Sequence, residues 1–76
     1  MATKIFKARR FYLDRNEDVS GVSGTGRVAE GIEFENGICC LSFNSQFGHA
    51  NTYLNIRAVK EVHGHEGATL VVFIDD

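Results

Sequence analysis

Apolar and polar residues alternate along two runs, 27–35 and 38–44, with Asn36-Gly37 between them. A period of two marks strands buried on one face, and Asn-Gly between two such runs predicts a β-hairpin. A two-residue turn would pair Glu35 with Ile38, Phe34 with Cys39, Glu33 with Cys40, Ile32 with Leu41 and Glu30 with Phe43. Residues two apart share a face, so Val28, Ile32, Phe34, Cys39, Leu41 and Phe43 are the predicted core face, and Ala29, Glu33, Glu35, Ile38, Cys40 and Ser42 the other. Glu30 falls on the core face. Either it lies inward at a rim, or a bulge at Gly31 turns it outward, since an unpaired buried carboxylate is costly.

The remaining pattern supplies three further strands. Residues 9–14 read as a first strand, with Phe11 and Leu13 facing in and Tyr12 out. A polar, glycine-rich loop follows over 15–26, long for so small a domain. A second loop over 45–51 leads to a strand at 52–56. Ile56, Val59 and Val62 recur every third residue, which suits a single helical turn, though the same segment could enter a strand at Lys60. His63-Gly64-His65-Glu66-Gly67 is a turn, and residues 68–74 are the last strand, apolar on both faces. A strand of that kind is covered on both sides, and another subunit is the second cover expected, with Leu70, Val72 or Ile74 at the contact of a homo-oligomer. Residues 1–8 are a flexible start or an edge strand, and residues 9–76 one domain. The fold class expected is all-β: a small SH3-like barrel of five or six antiparallel strands with one short helical turn. An OB-like barrel normally needs more chain.

Composition narrows the picture. Seventy-six residues with 43% hydrophobic content suffice for one domain, with a thin stability margin that a homo-oligomer would relieve. The net charge is -2, yet Lys4, Lys7, Arg9, Arg10 and Arg15 crowd the start against Asp14 alone. A basic edge on an acidic body does not suit a general nucleic-acid binder, but it suits a compact anion at one site. Adjacent Cys39 and Cys40 point to opposite faces of a strand and do not bridge each other. A core residue and a free thiol fit a reducing compartment, and no run is apolar enough to serve as a signal peptide or membrane span. A cytoplasmic protein is expected.

Candidate chemistry lies in two glycine-rich blocks. In Gly21-Val22-Ser23-Gly24-Thr25-Gly26, glycines bring backbone N–H groups into one concavity, and Ser23 and Thr25 add hydroxyls. The block lacks the Walker lysine, and a strand rather than a helix follows it. It is either a loop that needs positive φ or an anion cradle helped by Arg15 or Arg27. His63 and His65, two apart, are either parts of a hydrogen-bonded turn, contacts to a ligand, or metal ligands with Glu66 or His49. Asp14, Glu17 and Asp18 read as loop charges, and no catalytic nucleophile-base pair stands out. Tyr12, Phe47, His49 and Tyr53 are either core or a stacking platform.

Several strings carry a resemblance. They are Phe11-Tyr12-Leu13, the block Glu17-Asp18-x-Ser20-Gly21-Val22-Ser23-Gly24-Thr25-Gly26, Val28-Ala29-Glu30-Gly31 and His63-Gly64-His65-x-Gly67-x-Thr69. Together they resemble a family of short proteins, of no established activity, encoded by many bacteriophages and by some bacteria and archaea. The resemblance runs from Phe11 to Asp75. Phe43 and Phe73 stand where the family often has Trp, and the loop over 44–51 is individual. The resemblance implies a context, a phage-encoded protein in the host cytoplasm, rather than a reaction.

The function expected is a non-enzymatic binding module without a cofactor or metal. It would be a phage accessory protein that captures a small anionic ligand, such as a signalling nucleotide, or a host protein; a nucleic-acid-binding small barrel is the alternative. The loop after the first strand and the turn before the last are expected to meet, so that Ser23, Thr25, Arg27, His63 and His65 line one pocket with Glu30 at its edge.

Overall fold

The computed structural model describes residues 7–17, 24–44 and 48–75, the side chain of His65 excepted. Five strands and one helix make up the fold: β1 (Arg9–Arg15), β2 (Gly26–Glu33), β3 (Cys39–Phe43), β4 (Asn51–Tyr53), α1 (Ile56–His63) and β5 (Thr69–Phe73). The strands form one sheet in the order β4-β3-β2-β1-β5, antiparallel at every step. The fold is therefore the small, mostly antiparallel β structure with one short helix that the pattern predicts. It is not a closed barrel: β4 and β5 lie at opposite edges and do not pair. The chain leaves the three-residue β4 into α1, which contacts both edge strands and spans one face of the sheet. The helix thus covers the face that closure would otherwise bury. Most of the expected edge strand or flexible start at 1–8 lies outside the described residues.

The helix is longer than a single turn. Asn55 is extended at the N-cap, and its Oδ1 accepts the Ala58 N–H at 2.9 Å. That bond satisfies a donor the helix itself leaves open and excludes the strand reading of this segment. Val59 is fully buried and Ile56 packs on the core, whereas Val62 is exposed. A three-residue repeat drifts around a 3.6-residue helix, so its third member leaves the buried stripe.

The hairpin departs from its expected register by one residue. Observed partners are Ala29 with Phe43, Glu30 with Ser42, Gly31 with Leu41, Ile32 with Cys40 and Glu33 with Cys39. The loop holds three residues, not two: Gly37 N–H donates to the Phe34 carbonyl and Phe34 N–H to the Ile38 carbonyl, both at 2.8 Å. Gly37 has φ +94°, and Asn36 Oδ1 accepts the Ile38 N–H at 3.0 Å. This is a β-turn closed by a left-handed glycine, the three-residue alternative to the two-residue turn. A slip of one residue reverses which face each side chain takes. Ile32 and Phe34, expected inside, are 40% and 45% exposed, while Ala29, expected outside, is buried.

A bulge restores the inward side of β2 at its other end. Leu13 faces Ala29, but Asp14 faces Arg27, so Val28 is an extra residue and both Val28 and Ala29 are buried. Glu30 is exposed, with the bulge three residues earlier than Gly31. Gly31 has a different task. A Cβ there would lie 2.4 Å from Phe11 Cζ, because the Phe11 ring covers the glycine directly opposite it on β2.

Phe11, Leu13, Val28, Ala29, Cys39, Leu41 and Val59 form the buried core between the sheet and α1, flanked by Phe43, Tyr53, Val71 and Phe73. Phe11 and Leu13 inside with Tyr12 on the other side match the expected first strand. Cys39 is buried and the neighbouring Cys40 half-buried, and both are free thiols. Burial pushes the Cys39 thiol above its usual value, with Glu33 adding to the effect. The face away from α1 has no cover within the described residues.

Candidate functional site

One end of the sheet gathers the described parts of both glycine-rich blocks, residues 24–26 and the turn before β5. β1 ends there, β2 and β5 begin there, and Arg15 pairs with Gly26 on one side and Thr69 on the other. The stem of the first loop is tied to the turn before β5 by Asn16 N–H donating to the Ala68 carbonyl at 2.7 Å. On the opposite flank, Asn44 Nδ2 donates to the Arg27 carbonyl at 2.7 Å, which joins the end of β3 to the same rim.

Arg15 is the floor of this end. Alternation from Phe11 and Leu13 turns it to the helix side, where it is only 4% exposed. Its Nε donates to Thr69 Oγ1 at 2.9 Å. A guanidinium carries five N–H donors, and a buried cation needs them answered. Thr69, itself 5% exposed, is held in turn by its N–H bond to the Gly64 carbonyl at 3.0 Å. The basic residue that closes β1 is thus built into the foundation of the site rather than solvated, as its place at the start of a polar loop would suggest.

The rim is rich in left-handed backbone. Gly24, Gly26 and Gly67 have φ of +79°, +82° and +97°, and Glu66 has φ +56°. Glu66 lies in the 3-10 turn His65–Gly67, whose Gly67 N–H donates to the Gly64 carbonyl at 3.1 Å. Left-handed residues interrupting ordinary backbone bend the chain sharply at this rim, and the Gly67 and Thr69 N–H groups both close on the Gly64 carbonyl.

The predicted site residues divide as follows. Thr25 and Arg27 lie exposed at this end, where β2 begins. The Arg27 guanidinium stacks over the Tyr12 ring at 4.1 Å, which puts it toward the open face of the sheet. His63 lies on the helix side. Its Nε2 is 2.6 Å from Tyr53 Oη, and its ring packs 4.9 Å from that of Phe43. These contacts pack it with Tyr53 and Phe43, an arrangement that His-Gly-His spacing gave no hint of. Glu30 lies mid-strand on the open face, away from the rim. Ser23 lies outside the described residues, as does the His65 side chain. Among the described residues, no three His, Cys, Asp or Glu side chains stand together as metal ligands, and no helix is long and apolar enough to cross a membrane.

This end has a buried cation beneath in Arg15, and an exposed cation and a hydroxyl at the rim in Arg27 and Thr25. No curated protein and no solved structure matches the chain. The model of the Acb5 phage protein family matches residues 8–75, nearly the whole chain, and the protein belongs to that phage-encoded family.

Proposed function

We propose that this phage accessory protein is a non-enzymatic binding module that captures a small anionic ligand at the loop end of its sheet. A signalling nucleotide of the host is the ligand class that fits a phage-encoded protein of this size, with the phosphates as the groups recognised. The observation that carries the reading is the tie between the stem of the glycine-rich loop and the His-Gly-His turn across buried Arg15, through Asn16–Ala68 and Arg15–Thr69. That tie places four left-handed residues and two arginines at one end of a protein that is acidic overall. Arg27 supplies a charge-assisted contact, the Thr25 hydroxyl orients the anion, and Arg15 fixes the floor. Ser23 and His65 belong to the same two blocks and complete the proposed site by sequence position. His63 acts as a support through Tyr53 rather than as a direct contact.

Isothermal titration with cyclic dinucleotides, linear mononucleotides and inorganic phosphate tests the reading. At least one nucleotide should bind, and Arg27→Ala should weaken it roughly tenfold or more, the effect of losing one charge-assisted bond. Arg27 is exposed, so its variant should melt with the parent protein. His63→Ala should instead lower stability by about 1 kcal/mol through the lost Tyr53 contact. Saturable heat from no member of the panel, or undiminished binding by Arg27→Ala, removes the proposal.

A further inference from the structure

We infer that the anion captured at the loop end carries a planar ring, such as a nucleobase, held on the open face of the sheet against the Arg27 guanidinium; this rests on the capture proposed above. Parity explains why Arg27 is there. Phe11, Leu13 and Arg15 of β1 are buried on the helix side, and Ala29, opposite Leu13, is buried with them. Unbroken alternation would set Arg27 opposite Arg15 and put two cations on the same covered face. The extra residue at Val28 prevents this: Arg27 faces Asp14 instead, and Gly26 faces Arg15. A residue without a side chain thus stands beside the buried guanidinium, and the charged one crosses to the open face. Bulges re-aim side chains in this way.

Asn44 latches the bulged segment. It follows the last ladder pair of β2 and β3, Ala29 with Phe43, and extends the pairing with two bonds. Its N–H donates to the Val28 carbonyl at 2.9 Å and its Nδ2 to the Arg27 carbonyl at 2.7 Å. Tyr12 then takes the side chain: the Arg27 Cζ lies over the Tyr12 ring, 4.1 Å from its centre. Tyr12 is half-buried, whereas Arg27 is exposed. One side of the guanidinium therefore rests on Tyr12, and the other is offered to a ring. Its N–H groups lie in its own plane and reach anionic oxygens at its edge. A ring joined to a phosphate uses face and edge together and extends the stack that Tyr12 begins. A sugar phosphate uses the edge alone. Stacking tolerates every base, so this contact selects for a base without choosing which.

Isothermal titration with a cyclic diadenylate, adenosine monophosphate and ribose phosphate is the test, with circular dichroism to check the fold of each variant. The tighter of the two nucleotides should bind at least roughly tenfold better than ribose phosphate, the worth of one stacked base. Tyr12→Leu removes the platform and should erase most of that preference, and Tyr12→Phe, which keeps the ring, should restore it. A readout without ligand tests the positioning. The Arg27 side-chain protons should be shifted upfield by the Tyr12 ring in the NMR spectrum of the parent protein, and Asn44→Ala should lose that shift and the nucleotide preference together. Ribose phosphate binding as tightly as either nucleotide, or Tyr12→Leu weakening all three probes equally, overturns the inference and leaves anion capture standing. An Arg27 shift unchanged in Asn44→Ala overturns the latch. Binding of none of the three removes both the ring contact and the capture on which it rests.

Discussion

Individual residues carry constraints whose cause is visible only from their neighbours. Gly31 reads as a candidate bulge, yet its role is to lie under the Phe11 ring. Gly31→Ala would drive a methyl to within 2.4 Å of that ring, and urea unfolding should show a loss of about 2 kcal/mol, as other overpacked sites do. The Arg10–Asp75 pair is a second case. Its hydrogen bonds lower the Asp75 carboxyl from its ordinary 3.8 to about 2. A carboxyl depressed on folding stabilises the fold above the ordinary value, and that contribution fades as pH falls from about 4 toward about 2. Acid unfolding monitored by circular dichroism should lose this component in Asp75→Asn. Arg15 shows where sequence reading stops. The chain names it as a possible anion contact, but its burial depends on Thr69, more than fifty positions away, and on the alternation that turns both to the helix side.

At the scale of elements, the presence and kind of the strands was legible because alternation is a local signal. The exact pairing was not. Asn36-Gly37 fits both a two-residue turn and a three-residue loop ending in a left-handed glycine, and only the second puts Ala29 rather than Ile32 in the core. The bulge at Val28 was hidden for the same reason, because both Val28 and Ala29 are small enough to sit inward. The helix was half legible: Ile56 and Val59 mark its buried stripe, while the deciding signal is the Asn55 cap that precedes it. Gly37→Val tests the loop. A β-branched residue resists φ +94°, so thermal melting should show a loss of roughly 1 kcal/mol or more. An unchanged melting temperature would contradict the left-handed glycine and the register it sets.

The whole molecule is an open sheet with a helix on one face, and its topology decides which distant segments meet. The sequence marks out the two glycine-rich blocks as unexplained by core packing, and the sheet order brings their stems to one end. It also separates residues that the sequence grouped. Arg27 leans toward the open face and His63 toward the helix, so the proposed site is a rim around buried Arg15. The open face is a different surface, on which Leu70 and Ile74 of the last strand stand exposed. The central claim, anion capture at the loop end, is tested most directly by amide chemical-shift mapping in a 15N-labelled protein titrated with a cyclic dinucleotide and, separately, with inorganic phosphate. Capture at the rim predicts that the largest shifts fall on Gly24, Thr25, Gly26 and Arg27 together with Gly64, Gly67 and Thr69. Shifts centred on Ile32, Cys40 and Val72, or none for either probe, would contradict it.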